Sequence, residues 1–384
     1  MDAIALRHQF HRIAERSGVE FETRALIFRE LEALSPTKIL ASKVGNHLLA
    51  EFFFSVDGPT VLLRADFDAV GIDETPQGDY YSIHKGFSHK CGHDGHTVIL
   101  LEVARELKKN PFSKGRVLLL FQGAEETGVG AQQILDQHLL DEYSIDYVFA
   151  LHNIPGEPLG TILCGKGSFS CSVVSCEIKL EGETSHAAEP QKAVSSLNAA
   201  IQITQTLLED NCFDFQSPDC KVTTLVEMHI GSPNYGVTAG SGVVRLTIRA
   251  RTDERLKKEQ IRIENTVKQI VAKTPKLQYK IDWYEYFAAN ENDSEAVDIV
   301  FNAAKMCDFP TIEIQEPFRW GEDFGLFTQS YHGAMFGIGA GLDCAPLHHS
   351  NYDFSDALLE KGRDIFVHII GAILGFDRKK NSNK

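Results

Sequence analysis

Four places in this chain gather side chains that can bind a metal or move a proton. They are Arg64-Ala65-Asp66-Phe67-Asp68, Cys91-Gly92-His93-Asp94-Gly95-His96, Gln122-Gly123-Ala124-Glu125-Glu126, and His152. Near the C-terminus, Leu347-His348-His349 adds two imidazoles. A Cys-x-His spacing in a loop lets Cys91 and His93 converge on one cation. Thiolate, imidazole and carboxylate together suit zinc, or manganese where carboxylate and water dominate. The adjacent acids Glu125 and Glu126 can diverge in a turn, one binding metal and the other facing a water as general base. One of His348 and His349 could complete a binuclear site, and Asp66 or Asp68 could orient a metal-bound histidine. His96 is a third ligand, a supporting group or a packing residue. The rival chemistry is a cysteine hydrolase, with Cys91 as nucleophile beside a histidine.

These residues need elements to place them. Val61–Leu63, Val117–Phe121 and Tyr147–Leu151 are short apolar runs and read as buried strands. His93–Asn110 reads as a helix, with Leu100, Val103, Ala104 and Leu107 on one face. Strands alternating with helices imply an α/β domain with a mostly parallel sheet. In such a sheet, sites form beyond the carboxyl ends of the strands, which is where the acids and His152 fall. Residues 2–34 read as helical, as do Gly130–Leu140, Asp293–Cys307 and Asp356–Phe376. Between them the pattern changes. Cys171–Leu180, Val222–Ile230, Val243–Ala250 and Gln278–Phe287 read as strands, and Lys192–Glu209 and Glu254–Lys273 as helices. The order β-α-β-β-α-β is the ferredoxin-like arrangement. The expected organisation is a discontinuous catalytic domain, 1–170 and 288–384, with an α+β insert at 171–287.

Composition narrows the function classes. The net charge of −15 over 384 residues disfavours a nucleic-acid partner, which needs a basic stripe, and an anionic membrane surface. Eight cysteines without tight paired spacing make no disulfide framework. The N-terminus shows no apolar signal segment and no apolar run is long enough to span a bilayer, so the expectation is a reduced, cytoplasmic protein.

Taken together, Arg64-Ala-Asp-Phe-Asp68, His89-Lys-Cys-Gly-His-Asp-Gly-His96, Gly123-Ala-Glu-Glu126, His152-Asn-Ile-Pro-Gly-Glu-Pro158, Ser185-His-Ala-Ala188, Gly321-Glu-Asp-Phe324 and Leu347-His348 run almost the length of the chain. This set resembles the co-catalytic metal amidohydrolases that include hippurate hydrolase, the plant auxin-conjugate hydrolases and related aminoacylases. They form a subgroup of the metallopeptidase family that also holds the glutamate carboxypeptidases. The resemblance implies an α/β catalytic domain with an inserted ferredoxin-like lid, and two divalent metal ions per subunit, zinc or manganese. Cys91 would bridge the ions, with His93, Glu126, His152 and His348 completing their shells. Glu125 would be the general base, Asp68 a supporting acid and His186 an oxyanion donor. The implied reaction is hydrolysis of the amide bond of N-acyl amino acids, and the implied assembly is a homodimer through the insert. The alternatives are a dipeptidase or carboxypeptidase of the same chemistry, or a silent binding protein. The chain departs from the family pattern at Gly123, where proline is usual. It departs again at Gln191, at Ser195-Ser196 and at Gly236, which stands where a substrate-touching asparagine is common.

Overall fold

A computed structural model describes residues 2–75 and 79–376. Asp2 caps the first helix, α1 (Ala3–Arg12), by accepting the Ala5 N–H at 2.8 Å. The second, α2 (Phe21–Leu34), is separate. The stretch 2–34, expected to be helical, is therefore two helices with a break between them. Gly18 turns the chain at φ +87°, and the buried Glu15 carboxylate takes the N–H groups of Glu22 and Thr23, filling the start of α2.

Strands β1 (Lys38–Ala41) and β2 (Leu48–Phe53) follow, then β3 (Thr60–Asp66), whose residues are all buried. Helix α3 (His93–Lys109) starts at Gly92, which at φ +98° lies where glycine is favoured. Next come β4 (Arg116–Gln122), the short α4 (Gly130–Asp136) and β5 (Tyr147–Ile154). Strand β5 runs past the expected Leu151, so His152 sits within the strand. The short strands β6 (Ile162–Cys164) and β7 (Gly167–Ser168) lead into β8 (Ser172–Glu181). Then follow α5 (Leu197–Leu208), β9 (Lys221–Ile230), β10 (Gly242–Ala250), α6 (Asp253–Val271) and β11 (Gln278–Phe287). Helix α5 begins later than the expected Lys192. Pro190–Lys192 form a 3-10 turn instead, Ala193 is extended, and Val194 pairs with Glu183. The chain closes with β12 (Glu291–Asn292), α7 (Ser294–Met306), β13 (Thr311–Glu313), α8 (Gly325–Thr328), β14 (Gly333–Gly339) and α9 (Leu358–Leu374).

The chain divides into two compact units. The first comprises the residues up to Phe169, Asn290–Gln315 and those from Glu322 on. Its sheet runs β1-β2-β4-β3-β5-β14-β6-β13. The centre is parallel: β3 pairs with β4 and β5, and β14 pairs with β5. Towards the edges β2 runs antiparallel to β1 and β4, and β6 antiparallel to β14. The core is built from Leu63, Val98, Leu101, Leu119, Phe121, Phe149, Phe336, Phe366 and Ile370, all almost wholly buried. It holds the carboxyl ends of β3, β4 and β5 in one rank.

The second unit is Ser170–Ala289 with Glu316–Gly321. All of its strand pairs are antiparallel, in the order β11-β8-β10-β9, the ferredoxin-like order. Val174, Cys176, Ile178 and Leu180 alternate onto one face of β8 and meet Ile203 and Leu207 of α5 and Ile263 and Val267 of α6. The segment Glu316–Gly321 joins this unit because Phe318 accepts the Cys171 N–H and Arg319 covers the Phe215 ring.

Candidate metal centre

Every residue of the centre described here lies in the first unit. Strand β3 ends on Asp66, and the next turn carries Asp68. The turn after β4 carries Glu125 and Glu126, β5 carries His152, and Cys91 and His93 stand at the start of α3. The fold thus draws together segments far apart in sequence. The ligand atoms of Cys91, His93 and His152 lie within 4.8 Å of one another, and so do those of Cys91, Glu126 and His348. Cys91 belongs to both groups.

Each imidazole is oriented by a contact on its other nitrogen. His93 Nδ1 donates to the Asp68 main-chain carbonyl at 2.9 Å, which leaves the Nε2 lone pair free. The Asp68 carboxylate itself is 3.4 Å from that nitrogen, and it accepts the Glu126 N–H at 3.0 Å. His152 Nδ1 donates to the Asn153 carbonyl at 2.9 Å, leaving Nε2 3.5 Å from Cys91 Sγ. His348 Nε2 lies 3.5 Å from Glu126 Oε1. His348 is held at φ +62°, with its N–H on the Lys90 carbonyl. His349 points elsewhere and caps the Asn351 N–H. His96 has both nitrogens engaged, Nδ1 by Asp66 at 2.6 Å and Nε2 by Asn153 at 2.5 Å, so no lone pair is left for a metal.

The electrostatics call for positive charge. His93 Nε2 and Glu126 Oε1 are buried without a hydrogen-bond partner, 3.7 Å apart. A cation between them would satisfy both, and such orphan atoms are rare in a folded interior. Burial, then the carboxylates of Glu126, Glu125 and Asp66, push the Cys91 thiol well above its usual range. A thiolate there requires a compensating cation. Burial alone would lower the His93 imidazole, but Asp66, Asp68 and Glu126 outweigh it and raise it to about 10. Glu125 is held well above the normal carboxylate range by burial and by Glu322, Glu126, Asp323 and Asp68. The donor set therefore fits divalent cations.

Behind the ligands lie supports that sequence reasoning did not identify. Arg64, wholly buried, donates to Asp66 at 2.7 Å, to Glu322 at 2.9 Å and to Asp323 at 2.9 Å. Asn153 Nδ2 donates to the Tyr352 hydroxyl at 2.6 Å while its carbonyl oxygen meets His96. On α1, Arg7 reaches Asp94, Asp353 and Asp356, and His11 bridges Asp94 and Glu74. The one available signal was polar residues, Arg7 and His11, four apart on an otherwise apolar helix face. His186 lies in the second unit. Its Nδ1 accepts the Ala188 N–H at 3.0 Å, so in the neutral ring the proton sits on Nε2.

The chain is 32% identical over 364 residues to the N-acetyl-L-cysteine deacetylase of Bacillus subtilis, covering 93% of this chain and 85% of that protein. It is 30% identical over 375 residues to the N-acetyldiaminopimelate deacetylase of the same organism, covering 96% of each. The fold matches that of a dinuclear metal binding peptidase of the M20 family from Bacillus subtilis, with a TM-score of 0.81, 26% identity and 97% of each chain covered. Residues 62–372 match the model of peptidase family M20/M25/M40, and the chain belongs to that family.

Proposed function

We propose that this chain hydrolyses the amide bond of N-acyl amino acids with two divalent cations, zinc or manganese. The observation that carries the reading is the pair of ligand groups sharing Cys91, with Glu125 beside them; Asp68, His93 and Glu125 also lie within 4.8 Å of one another. Cys91, His93 and His152 would hold one ion, and Cys91, Glu126 and His348 the other. The names of the Bacillus subtilis relatives supply the substrate class: both are deacetylases of N-acetylated amino acids. Bound divalent cations polarise the acyl carbonyl and lower the pKa of water from 15.7 to about 7.

The protein residues have separate tasks. Glu125 takes the proton of the attacking water on its carboxylate and delivers it to the leaving nitrogen. Asp68 holds His93 through its main-chain oxygen and the Glu126 N–H through its carboxylate. His186, with its proton on Nε2, is the donor to the developing oxyanion, a role typically worth about 3–4 kcal/mol. The second unit also offers the edge strand β9, where Val226 and Met228 are exposed, for pairing into a homodimer. A monomeric mass at micromolar concentration would remove that part.

The test is Glu125→Gln, assayed on N-acetyl and N-benzoyl amino acids and on dipeptides with zinc, manganese or cobalt. The expected outcome is turnover of the N-acyl substrates by the native chain, a loss of at least 10³-fold in the variant, and two ions bound in both. Full activity of the variant would refute the role of Glu125. Turnover of dipeptides alone would move the chain to the peptidase reading.

A further inference from the structure

We infer that Glu20 and His47 are positioning residues for the turn that carries Glu125 and Glu126, and that proline is excluded at 123 because His47 needs the N–H there. The inference rests on the proposed role of that turn. Glu20 and His47 lie outside every motif named above.

The Gly123–Glu126 turn is a conformation that must be enforced. Ala124 sits at φ +59°, in the left-handed region that an L side chain enters only at a cost. Buried acceptors from three different segments hold its N–H groups. His47 Nδ1 accepts the Gly123 N–H at 3.2 Å. Glu20 Oε1 accepts the Ala124 N–H at 3.0 Å, and Asp68 accepts that of Glu126. Neither Glu20 nor His47 has any exposed surface, and each is fixed in turn. Asn46 donates to Glu20 Oε2 at 2.8 Å. His47 Nε2 donates to Gln133 Oε1 at 3.1 Å, which assigns the acceptor role to Nδ1. A Cβ at 123 would sit 3.0 Å from Glu20 Oε2, so the carboxylate that holds the Ala124 N–H would have to give by a few tenths of an ångström. Proline would bring that crowding and would also delete the donor to His47. Of these three acceptors only Asp68 has a proposed place at the metals, and neither Glu20 nor His47 touches a proposed ligand. They act by setting the angle at which Glu125 and Glu126 leave β4, and small misplacements of such groups are costly.

The test compares His47→Leu, which removes the acceptor, with His47→Asn, whose side-chain oxygen stands close to the place of Nδ1. Each is measured for metal affinity by chelator competition, and for kcat and KM on the best N-acyl substrate of the native chain. We expect His47→Leu to weaken the ion held by Glu126 about tenfold and to lower kcat about tenfold, with KM changed less than twofold. His47→Asn should recover most of both losses. Gly123→Pro should lose at least as much as His47→Leu, and the double variant should lose less than the two single losses combined, because both remove the same bond. A folded His47→Leu with native metal affinity and kcat would overturn the inference, and so would His47→Asn failing as badly as His47→Leu. If the native chain cleaves no N-acyl substrate, the function proposed above fails. The metal-affinity arm then still decides this inference.

Discussion

Replacing Arg64 by methionine tests whether the carboxylates behind the metal centre are a neutralised unit. Arg64 is 1% exposed and donates to Asp66, Glu322 and Asp323. Methionine fills much of the same volume but leaves three carboxylates buried without their counter-charge. Breaking a buried ion pair from one side costs about 3–5 kcal/mol. The loss should depend on pH in a definite direction. Burial and the nearby Glu322 carboxylate already hold Asp323 up to about 7, against the pull of Arg64, and Glu322 is also raised. Without the guanidinium both rise further. A carboxyl group raised above its unfolded value of about 4 destabilises the fold at higher pH, and the penalty is relieved as pH falls through the folded value. The deficit of the variant should therefore be about 3–5 kcal/mol at pH 8 and distinctly smaller at pH 5. The assay is urea unfolding followed by far-UV circular dichroism, with metal chelated, at several pH values. Both tryptophans, Trp283 and Trp320, belong to the second unit, so their fluorescence monitors that unit separately. A deficit below about 1 kcal/mol at pH 8, or one unchanged at pH 5, would refute the reasoning. It would mean that the carboxylates share protons among themselves and do not depend on Arg64.

Other outcomes follow from the same structure. His11 is raised to about 9: burial would lower it, but Asp94 and Glu74 outweigh burial. Its contribution is full below about 6.5 and is lost as pH rises through 9, so His11→Asn should cost up to ~3 kcal/mol at pH 6 and much less at pH 10. A loss equal at both pH values in thermal unfolding would contradict this. Gly95→Ala would place a Cβ 2.5 Å from the Phe354 ring, where α3 meets the loop before α9. It should cost about 1–3 kcal/mol, read as a lower melting temperature, although alanine is the better helix former. Asn153→Ala removes the link between His96 and Tyr352, leaves those buried groups without that partner and should cost about 1–3 kcal/mol, read as a lower melting temperature. An unchanged melting temperature would count against it. Saturating zinc at 100 times its dissociation constant should stabilise the native chain by about 2.7 kcal/mol per independent site, and Cys91→Ala should abolish most of that gain.

Periodicity was enough to find the elements that build the centre. The apolar runs at Val61, Val117 and Tyr147 are strands because strands buried on both faces are continuously apolar. The alternation in Val173–Leu180 shows a sheet with one buried face. What misled periodicity was punctuation. The break between α1 and α2 comes from a glycine with positive φ and a glutamate that caps a helix from outside it, and neither disturbs the apolar pattern. The edge strands β1 and β13 were missed because their residues are largely exposed, and β14 because it is rich in glycine.

Local chemistry also made the ligand types legible. Cys91-x-His93, Glu125-Glu126 and a histidine on a buried strand point to a soft, carboxylate-rich metal site whatever the topology, because thiolate and imidazole side by side have few other uses. Only the tertiary structure decided how those residues divide. It gave Cys91 to two ligand groups, brought His348 to Glu126 while turning His349 away, and used up both nitrogens of His96. It also showed that Asp68 holds His93 through a main-chain oxygen, and that Glu20, His47, Arg64 and Asn153 support the centre. The physical reason is that a ligand's type belongs to its own side chain, while its lone pairs are assigned by neighbours. Those neighbours come from segments tens to hundreds of residues away, and only the packed sheet brings them within hydrogen-bond range.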